Sequence, residues 1–198
     1  MGDILSAAEL ESNRYTMKIA PHSCNKLCRE AITTVEHRKP EGVKLYYTSE
    51  VDDCYELSTD GQRVRQILIN FLTNAEKHTT QGEIRLHCSL TENPGYVTFS
   101  VTDTGTGIPP EYSETIFERF EKADNFGQGT GLGLNICRLI AERLKGKVLL
   151  DKEYKEGARF VFVLPVKKIH LKSKTKTTKA ASSASSETPV SAEGQPSI

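Results

Sequence analysis

The feature that most restricts the fold is a two-faced helix in the first half of the chain. Between residues 59 and 78, Val64, Ile67, Leu68, Phe71, Leu72 and Ala75 recur at three- and four-residue spacing, which lines them along one side of an α-helix. A stripe that wide has to be buried, and the helix cannot bury it alone, so the chain must supply a second layer. The neighbouring sequence supplies strands. Val43, Leu45 and Tyr47 alternate with polar residues, as do Ile84, Leu86, Cys88 and Leu90 and, after Asn93-Pro94-Gly95, Val97, Phe99 and Val101. Period-two patterns on either side of a turn signal mark a hairpin. A second hairpin is expected from Val148–Leu150 and Phe160–Leu164 across Lys155-Glu156-Gly157.

The remaining elements follow from punctuation. A strand is expected from Tyr15 to Ala20, ended by Pro21, and a short one from Tyr55 to Ser58. Ser23 is placed to cap a helix striped by Leu27, Ala31, Ile32 and Val35 and closed by Pro40 and Gly42. Thr59 and Gln62 have capping-box spacing at the head of the long helix. A further amphipathic helix is expected from Leu132 to Leu144, ended by Gly146. Strands, helices and hairpins in this alternation predict an α/β fold, a two-layer sandwich of a mixed β-sheet covered on one face by helices.

Composition sets the limits. A chain of 198 residues has room for one good-sized domain with some extra at its ends. Its hydrophobic content of 37% is low for a domain filling the whole length. The dilution comes from residues 169–198, where Lys, Ser, Thr and Ala give way to Pro, Gly and Glu without apolar periodicity, so a disordered tail with solvated lysines is expected. Lys+Arg and Asp+Glu are equal at 26 each, so charge balance points to no nucleic-acid or membrane-surface partner. The five cysteines are odd in number and form no CxxC pair, which argues against a disulfide framework and for a reducing, cytoplasmic setting. Cys24 and Cys28, one helical turn apart, are expected to be packed thiols rather than metal ligands. There is no signal-peptide pattern and no apolar run of membrane-spanning length. Residues 3–13, with Ile4, Leu5, Ala8 and Leu10 on one side, read as a short helix, either the end of a longer helix or a packed N-terminal turn, and the Met-Gly start directly before it is expected of a piece of a longer protein.

Four polar features carry chemistry. Asn70, Asn74 and Lys77 project from the face of the long helix opposite its apolar stripe. A carboxamide oxygen is a hard ligand suited to Mg²⁺, and a Lys ammonium is a point charge for phosphate, although the same stripe would serve as a solvated face. Asp103-Thr104-Gly105-Thr106-Gly107-Ile108-Pro109 follows a strand. Its carboxylate can accept from an amine such as that of adenine, and its glycines admit a flat base, while a plain turn would use the same residues. Gly127-Gln128-Gly129-Thr130-Gly131-Leu132-Gly133-Leu134 runs into a helix, offering backbone N–H groups and a positive dipole end to an anion. It lacks the Lys-Ser/Thr ending of a P-loop, and no βαβ unit surrounds it, which excludes a Rossmann reading. Finally, in Ile116-Phe117-Glu118-Arg119-Phe120, Phe117 and Phe120 share a helical face that can anchor a mobile lid or simply join the core.

The order of these features is more specific than any one of them. Asn-x-x-x-Asn-Ala-x-Lys, then Asp-x-Gly-x-Gly, Phe-x-x-Phe, Gly-x-Gly-Leu-Gly-Leu and a closing Gly-x-x-Phe-x-Phe-x-Leu-Pro at 157–165 resembles the ATP-binding domain shared by histidine kinases, DNA gyrase and related ATPases. The resemblance, to the catalytic domain of a two-component sensor histidine kinase in the GHKL superfamily, runs from about residue 15 to 166. It implies a Bergerat-type fold with ATP on the helical side. By that resemblance Asp103 holds the adenine amine, and Gly105, Gly107 and Ile108 shape the base pocket. Asn70 holds Mg²⁺, with Asn74 and Lys77 near the phosphates. Gly129, Thr130, Gly131, Leu132 and Gly133 cap the triphosphate when a lid at about 118–131, flanked by Phe117 and Phe120, closes. Lys122 is a candidate for the γ-phosphate. His78 stands where these kinases usually carry Phe or Tyr; an imidazole can stack or donate, so binding is expected to tolerate it.

Asn70 also separates members of the superfamily. Its ATPases and serine-directed kinases have Glu there, because water and serine hydroxyls must lose a proton to attack phosphorus. A neutral imidazole has a free lone pair and needs no such base. The resemblance therefore implies phosphoryl transfer from ATP to histidine, with Asn70 and Lys77 catalytic through positioning and charge; an ATP-sensing module without catalysis and a GHKL-type ATPase are the alternatives. None of His22, His37, His78, His87 and His170 sits in a Ser/Thr-His-Glu setting. The acceptor is thus expected on a dimerisation/phosphoacceptor domain absent from this chain, and the receiver domain of a response regulator is expected downstream. The implied layout is 1–14 as the end of a dimerisation helix, 15–168 as the catalytic domain and 169–198 as the tail, in a monomeric or weakly associating cytoplasmic fragment whose parent is free to be membrane-anchored.

Overall fold

The computed structural model describes residues 15–90, 95–118 and 131–166. The expected helix at 3–13, the tail at 169–198, most of the Asn93-Pro94-Gly95 turn, and Phe120, Lys122, Gly129 and Thr130 lie outside them. In chain order the elements are β1 (Ala20–Ser23), α1 (Cys24–Val35), β2 (Val43–Ser49), β3 (Glu56–Thr59), α2 (Gly61–His78), β4 (Gly82–Leu90), β5 (Tyr96–Asp103), α3 (Gly133–Arg143), β6 (Lys147–Leu150) and β7 (Arg159–Pro165). Five strands make one sheet in the order β2-β4-β5-β7-β6, and β1 and β3 form a separate antiparallel pair. Only β2 and β4 run parallel, so the main sheet is mixed.

Strand alternation makes the sheet one-sided. Ile84, Leu86 and Cys88 of β4, Val97, Phe99 and Val101 of β5, and Phe160, Phe162 and Leu164 of β7 are buried. Pairing puts them in rows across the sheet, Leu86 opposite Val101 opposite Phe160, and Cys88 opposite Phe99 opposite Phe162. The helices cover this face. The whole predicted stripe of α2 is buried, together with Leu27, Ala31 and Val35 of α1 and Ile136, Ile140 and Ala141 of α3. Phe71 of α2 stacks on Phe160 at 5.2 Å, and Phe99 stacks on Phe162 at 5.8 Å. Each such fully buried ring or branched side chain stabilises the fold by about 1.5–3 kcal/mol. Leu90, at the end of β4, departs from the pattern and is 48% exposed.

Cys24 and Cys28 of α1 lie beside Cys88 of β4, all three thiols free and buried. Neighbouring thiols and burial raise Cys24, and burial with the Cys28 contact raises Cys88, so both stay protonated. No group of His, Cys, Asp or Glu among the described residues is placed to hold a metal. No described helix is long and apolar enough to cross a membrane.

Two local expectations are corrected. The first strand lies at Ala20–Ser23 instead of Tyr15–Ala20, and Pro21 sits inside it opposite Ser58. A two-stranded ribbon leaves β1 a free edge, where a missing N–H is tolerated. The cap of α2 is Asp60, not Thr59: Asp60 Oδ1 accepts from the Arg63 N–H at 3.2 Å, while its Oδ2 accepts from the Lys18 N–H at 2.9 Å and the Tyr15 hydroxyl at 3.4 Å. Thr59 ends β3, buried, its hydroxyl without a partner. A carboxylate with four lone-pair sites serves the helix and the incoming chain together, which one hydroxyl cannot. Ser23, by contrast, caps α1 as expected, accepting from the Lys26 N–H.

The helix α3 stops at Gly146 as expected, through a specific turn. The Gly146 N–H bonds to the Ala141 carbonyl at 2.8 Å and the Lys145 N–H to that of Glu142 at 3.0 Å, the paired bonds of a Schellman turn. The left-handed residue is Lys145, with φ 63°, and not the glycine after it. Gly146 is required for another reason, since a Cβ there would lie 2.4 Å from the Val163 carbonyl oxygen. Lys145→Gly is therefore expected to raise stability in urea unfolding by about 1 kcal/mol, the cost of a left-handed L-residue, whereas Gly146→Ala lowers it.

Candidate functional site

Three stretches of backbone converge at the C-terminal end of β5 with almost no side chain between them. A Cβ on Gly105 would sit 2.2 Å from the His78 carbonyl oxygen at the end of α2, and a Cβ on Gly157 would sit 2.2 Å from that of Asp103. Gly107, at φ 70°, lies with its Cβ position 3.1 Å from the Gly157 carbonyl. The contacts are hydrogen-bonded as well: Thr106 N–H to His78 O at 3.2 Å, and Asp103 N–H to Ala158 O at 2.9 Å. The glycines of the Asp-x-Gly-x-Gly stretch thus let the chain approach itself, joining α2, the loop after β5 and the β6–β7 connection.

Asp103 sits at this junction, 2% exposed. Its Oδ1 accepts from the Gly105 N–H at 2.9 Å and the Ala158 N–H at 3.3 Å. Its main-chain carbonyl accepts from the Tyr154 hydroxyl at 3.1 Å. Both side-chain bonds end on the same oxygen, and Oδ2 accepts none among the described residues, which leaves it for a donor from outside. Burial raises the Asp103 pKa, against the opposing pull of the two backbone donors and of His78. Thr79, the residue after α2, is also fully buried, with its hydroxyl unpartnered.

From this end α2 leads back to Asn70 over about 12 Å. Asn70 lies against the first turn of α3: its Nδ2 donates to the Gly133 carbonyl at 3.3 Å. A Cβ on Gly133 would come 3.3 Å from Asn70 Oδ1, so the glycine makes room for the carboxamide. Cys137, one turn further along α3, also touches Asn70, and burial pushes its thiol up to about 12. Between the two ends lie Asn74, half-buried, and Lys77, exposed, as is the side chain of His78 at the Asp103 end.

Among the described residues no side chain caps the start of α3. The N-cap position is Leu132, which is buried, and Gly131 before it has φ 67°. The first N–H groups of a helix have no acceptor within it, so an uncapped start favours an anion. Phe117 is buried, its ring edge-on to Phe160 at 6.1 Å, and Ile108 is half-buried against the same core. Of the sequence-derived residues, the structure gathers Asp103, Gly105, Gly107 and His78 at one end and Asn70, Leu132 and Gly133 at the other. An open groove of about 510 Å³ along Gln62, Arg65, Gln66 and Ile69 shares only Asn70 with this set.

Sequence reasoning missed the share of the β6–β7 connection. Tyr154, Gly157 and Ala158 hold Asp103 in place, and Gly157 reads from sequence as a hairpin residue and the head of the closing motif, not as a neighbour of Asp103. The signal available was its position at the head of the closing Gly-x-x-Phe-x-Phe run. Cys137 beside Asn70 had no sequence signal.

Residues 59–168 match the family of histidine kinase-, DNA gyrase B- and HSP90-like ATPases, and the chain belongs to it. Within that family its relatives are sensor kinases. It is 33% identical over 181 residues to the autoinducer 2 sensor kinase/phosphatase LuxQ of Vibrio harveyi, covering 84% of this chain and 20% of LuxQ. It is likewise similar to full-length ShkA, solved in complex with AMPPNP, at 33% identity and a TM-score of 0.74, covering 83% of this chain and 35% of ShkA. The catalytic domain of the histidine kinase ThkA matches at 29% identity and a TM-score of 0.67, covering 76% of this chain and 99% of that domain. ThkA solved with the response regulator protein TrrA also matches, at 25% identity and a TM-score of 0.67, covering 84% of this chain and 48% of that one. The chain thus spans about a fifth of the length of its LuxQ relative.

The raised Asp103 pKa has a direct consequence for stability. Ionising this carboxyl opposes folding, so its contribution is most favourable below the unfolded carboxylate range of about pH 4 and is lost as pH rises through the folded value. Asp103→Asn keeps the Oδ1 acceptor and abolishes the ionisation. Without nucleotide it is expected to melt above the wild type at pH 7 by calorimetry, with the gap narrowing toward pH 3.

Proposed function

We propose that this domain binds ATP with Mg²⁺ and presents the γ-phosphoryl group to a histidine on a separate dimerisation/phosphoacceptor domain, for onward transfer to a response regulator. The observation that carries the reading is Asn70: at the helix position facing the uncapped start of α3 the chain has a carboxamide, where water- or serine-directed relatives need a carboxylate base. An imidazole brings its own lone pair, so positioning and charge are enough.

The residues fit the nucleotide. The free oxygen of Asp103 suits the exocyclic amine of adenine, beside Gly105, Gly107, Ile108 and His78. Asn70, its amide nitrogen engaged by Gly133, has an oxygen to offer Mg²⁺, and Asn74 and Lys77 lie along the same face for the phosphates. Gly131, Leu132 and Gly133 bring N–H groups to an anion, and Phe117 anchors the segment before the glycine-rich stretch; Phe120, Lys122, Gly129 and Thr130 keep the roles proposed from sequence. When bound, Mg²⁺–ATP supplies the phosphoryl donor and the cation that offsets its charge.

The AMPPNP complex of ShkA supports the nucleotide, and the ThkA complex with TrrA supports the response regulator as partner. The proposed layout keeps 1–14 as a dimerisation-helix end, 15–168 as the catalytic unit and 169–198 as a tail, in a cytoplasmic setting. Mixing the chain, γ-labelled ATP and a helical domain bearing a Ser/Thr-His-Glu motif is expected to give acid-labile label on that domain. Appreciable ATP turnover by the chain alone, with no transfer, would point to an ATPase instead. Asn70→Asp is expected to weaken Mg²⁺-dependent nucleotide binding at least about tenfold, or 1.4 kcal/mol, and unchanged binding would remove Asn70 from the site.

A further inference from the structure

Outside the elements already assigned, one cluster of polar groups on α3 is directed at a single backbone atom. The Phe117 carbonyl oxygen accepts from Asn135 Nδ2 at 3.3 Å and from Arg138 Nε at 3.4 Å. The other arm of the same guanidinium reaches Glu118 Oε2 at 3.4 Å, and its third nitrogen reaches Glu142 Oε1 at 3.3 Å. Asn135 and Arg138 are one helical turn apart, so one face of α3 fills both lone pairs of one carbonyl.

An exposed ion pair between Arg138 and Glu118 would contribute only about 0–1 kcal/mol. Asn135 is a different case. It is 2% exposed, and its Oδ1 is buried without a partner, an arrangement that costs about 1–3 kcal/mol. A buried amide kept at that expense for one bond to Phe117 is a specific feature, not a solvated face.

The carbonyl belongs to a tightly turned segment, with Ile116 N–H bonded to Tyr112 O at 2.8 Å and Glu118 N–H to Thr115 O at 2.7 Å. The Phe117 ring meets Phe160 edge-on, and Phe160 stacks on Phe71, the neighbour of Asn70 on α2. Asn70 in turn donates to Gly133, two residues before Asn135. The contacts close a circuit: α3 to Phe117, Phe117 to Phe160, Phe160 to α2, and α2 back to α3.

We propose that Arg138 and Asn135 are positioning residues for the phosphate end of the nucleotide site, acting through the Phe117 carbonyl to fix the first turn of α3 against Asn70. The proposal rests on the nucleotide reading above. The base end, built on Asp103, Gly105 and Gly157, lies outside the circuit, so the two ends respond differently when it is opened.

The test uses the full chain carrying Arg138→Met, which keeps a long unbranched side chain, with Asn135→Ala as a second variant. Without nucleotide, hydrogen exchange at the Ile116 and Glu118 amides is expected to quicken about tenfold in either variant, because local opening there loses its anchor. With nucleotide, affinity for Mg²⁺–AMPPNP is expected to fall about tenfold through misplacement of the phosphate-binding turn, while affinity for adenosine stays at the wild-type value. Arg138→Lys, which retains a charge and a donor, is expected to recover part of the loss. Unchanged amide exchange overturns the clamp. Equal weakening of AMPPNP and adenosine overturns the positioning role, since a general loosening would act on both ends. Failure of the wild type to bind AMPPNP would refute the nucleotide reading and the positioning role with it, while the exchange result would still decide the clamp.

Discussion

The site depends on three glycines that let peptide planes touch. Gly105 against the His78 carbonyl and Gly157 against the Asp103 carbonyl leave no room for a methyl group, and Gly107 against Gly157 is tight and held at a positive φ of 70°. Because the backbones meet, two N–H groups from different segments can bond to one Asp103 oxygen. Those bonds hold a carboxylate in a place where burial disfavours its charge. The other oxygen is left for a ligand. A junction made of side chains would have had rotamers to rearrange; one made of backbone does not.

The other end of the site is built on the opposite principle. There the placement comes from side chains: the Asn70 carboxamide on Gly133, the Cys137 thiol beside it, and Asn135 with Arg138 on the Phe117 carbonyl. Between the ends runs α2, buried along its Val64–Ala75 stripe on the aromatic rows of the sheet. Its rigidity sets the distance from Asp103's junction to Asn70. The two ends thus sit on one helix, a backbone junction at one and side-chain contacts at the other, and in the function proposed above the first faces the base and the second the phosphates.

Much of this was legible in the residues, and the limits have physical causes. Periodicity located α2, both hairpins and the buried face of the sheet, because burial on one side leaves a local trace in the order of apolar residues. Ser23 was readable as a cap because the N–H it accepts from lies three residues ahead in its own helix, although its hydroxyl also donates to the Asp53 carbonyl. Asp60 was not, because its carboxylate also takes the Lys18 N–H and the Tyr15 hydroxyl, partners more than forty residues away that a local capping rule does not see. Lys145 takes the left-handed position next to a glycine because Gly146 is committed to the Val163 carbonyl instead. At the site, motif order pointed to Asp103 and Asn70. The support from Ala158, Cys137 and Arg138 depends on which segments meet, and that is a property of the assembled sheet.

The order of strands has a consequence for how the molecule comes into being. β7, the last described strand, lies inside the sheet between β5 and β6 and pairs with β5 from Tyr96–Pro165 to Thr102–Arg159. Until it arrives, β5 shows a bare edge, and Phe71 and Phe117 both lack Phe160. Closing loops of that length is entropically costly and slow compared with forming a hairpin. A growing chain therefore carries an unsealed sheet, open to pairing with other strands, until β7 has emerged to close it between β5 and β6.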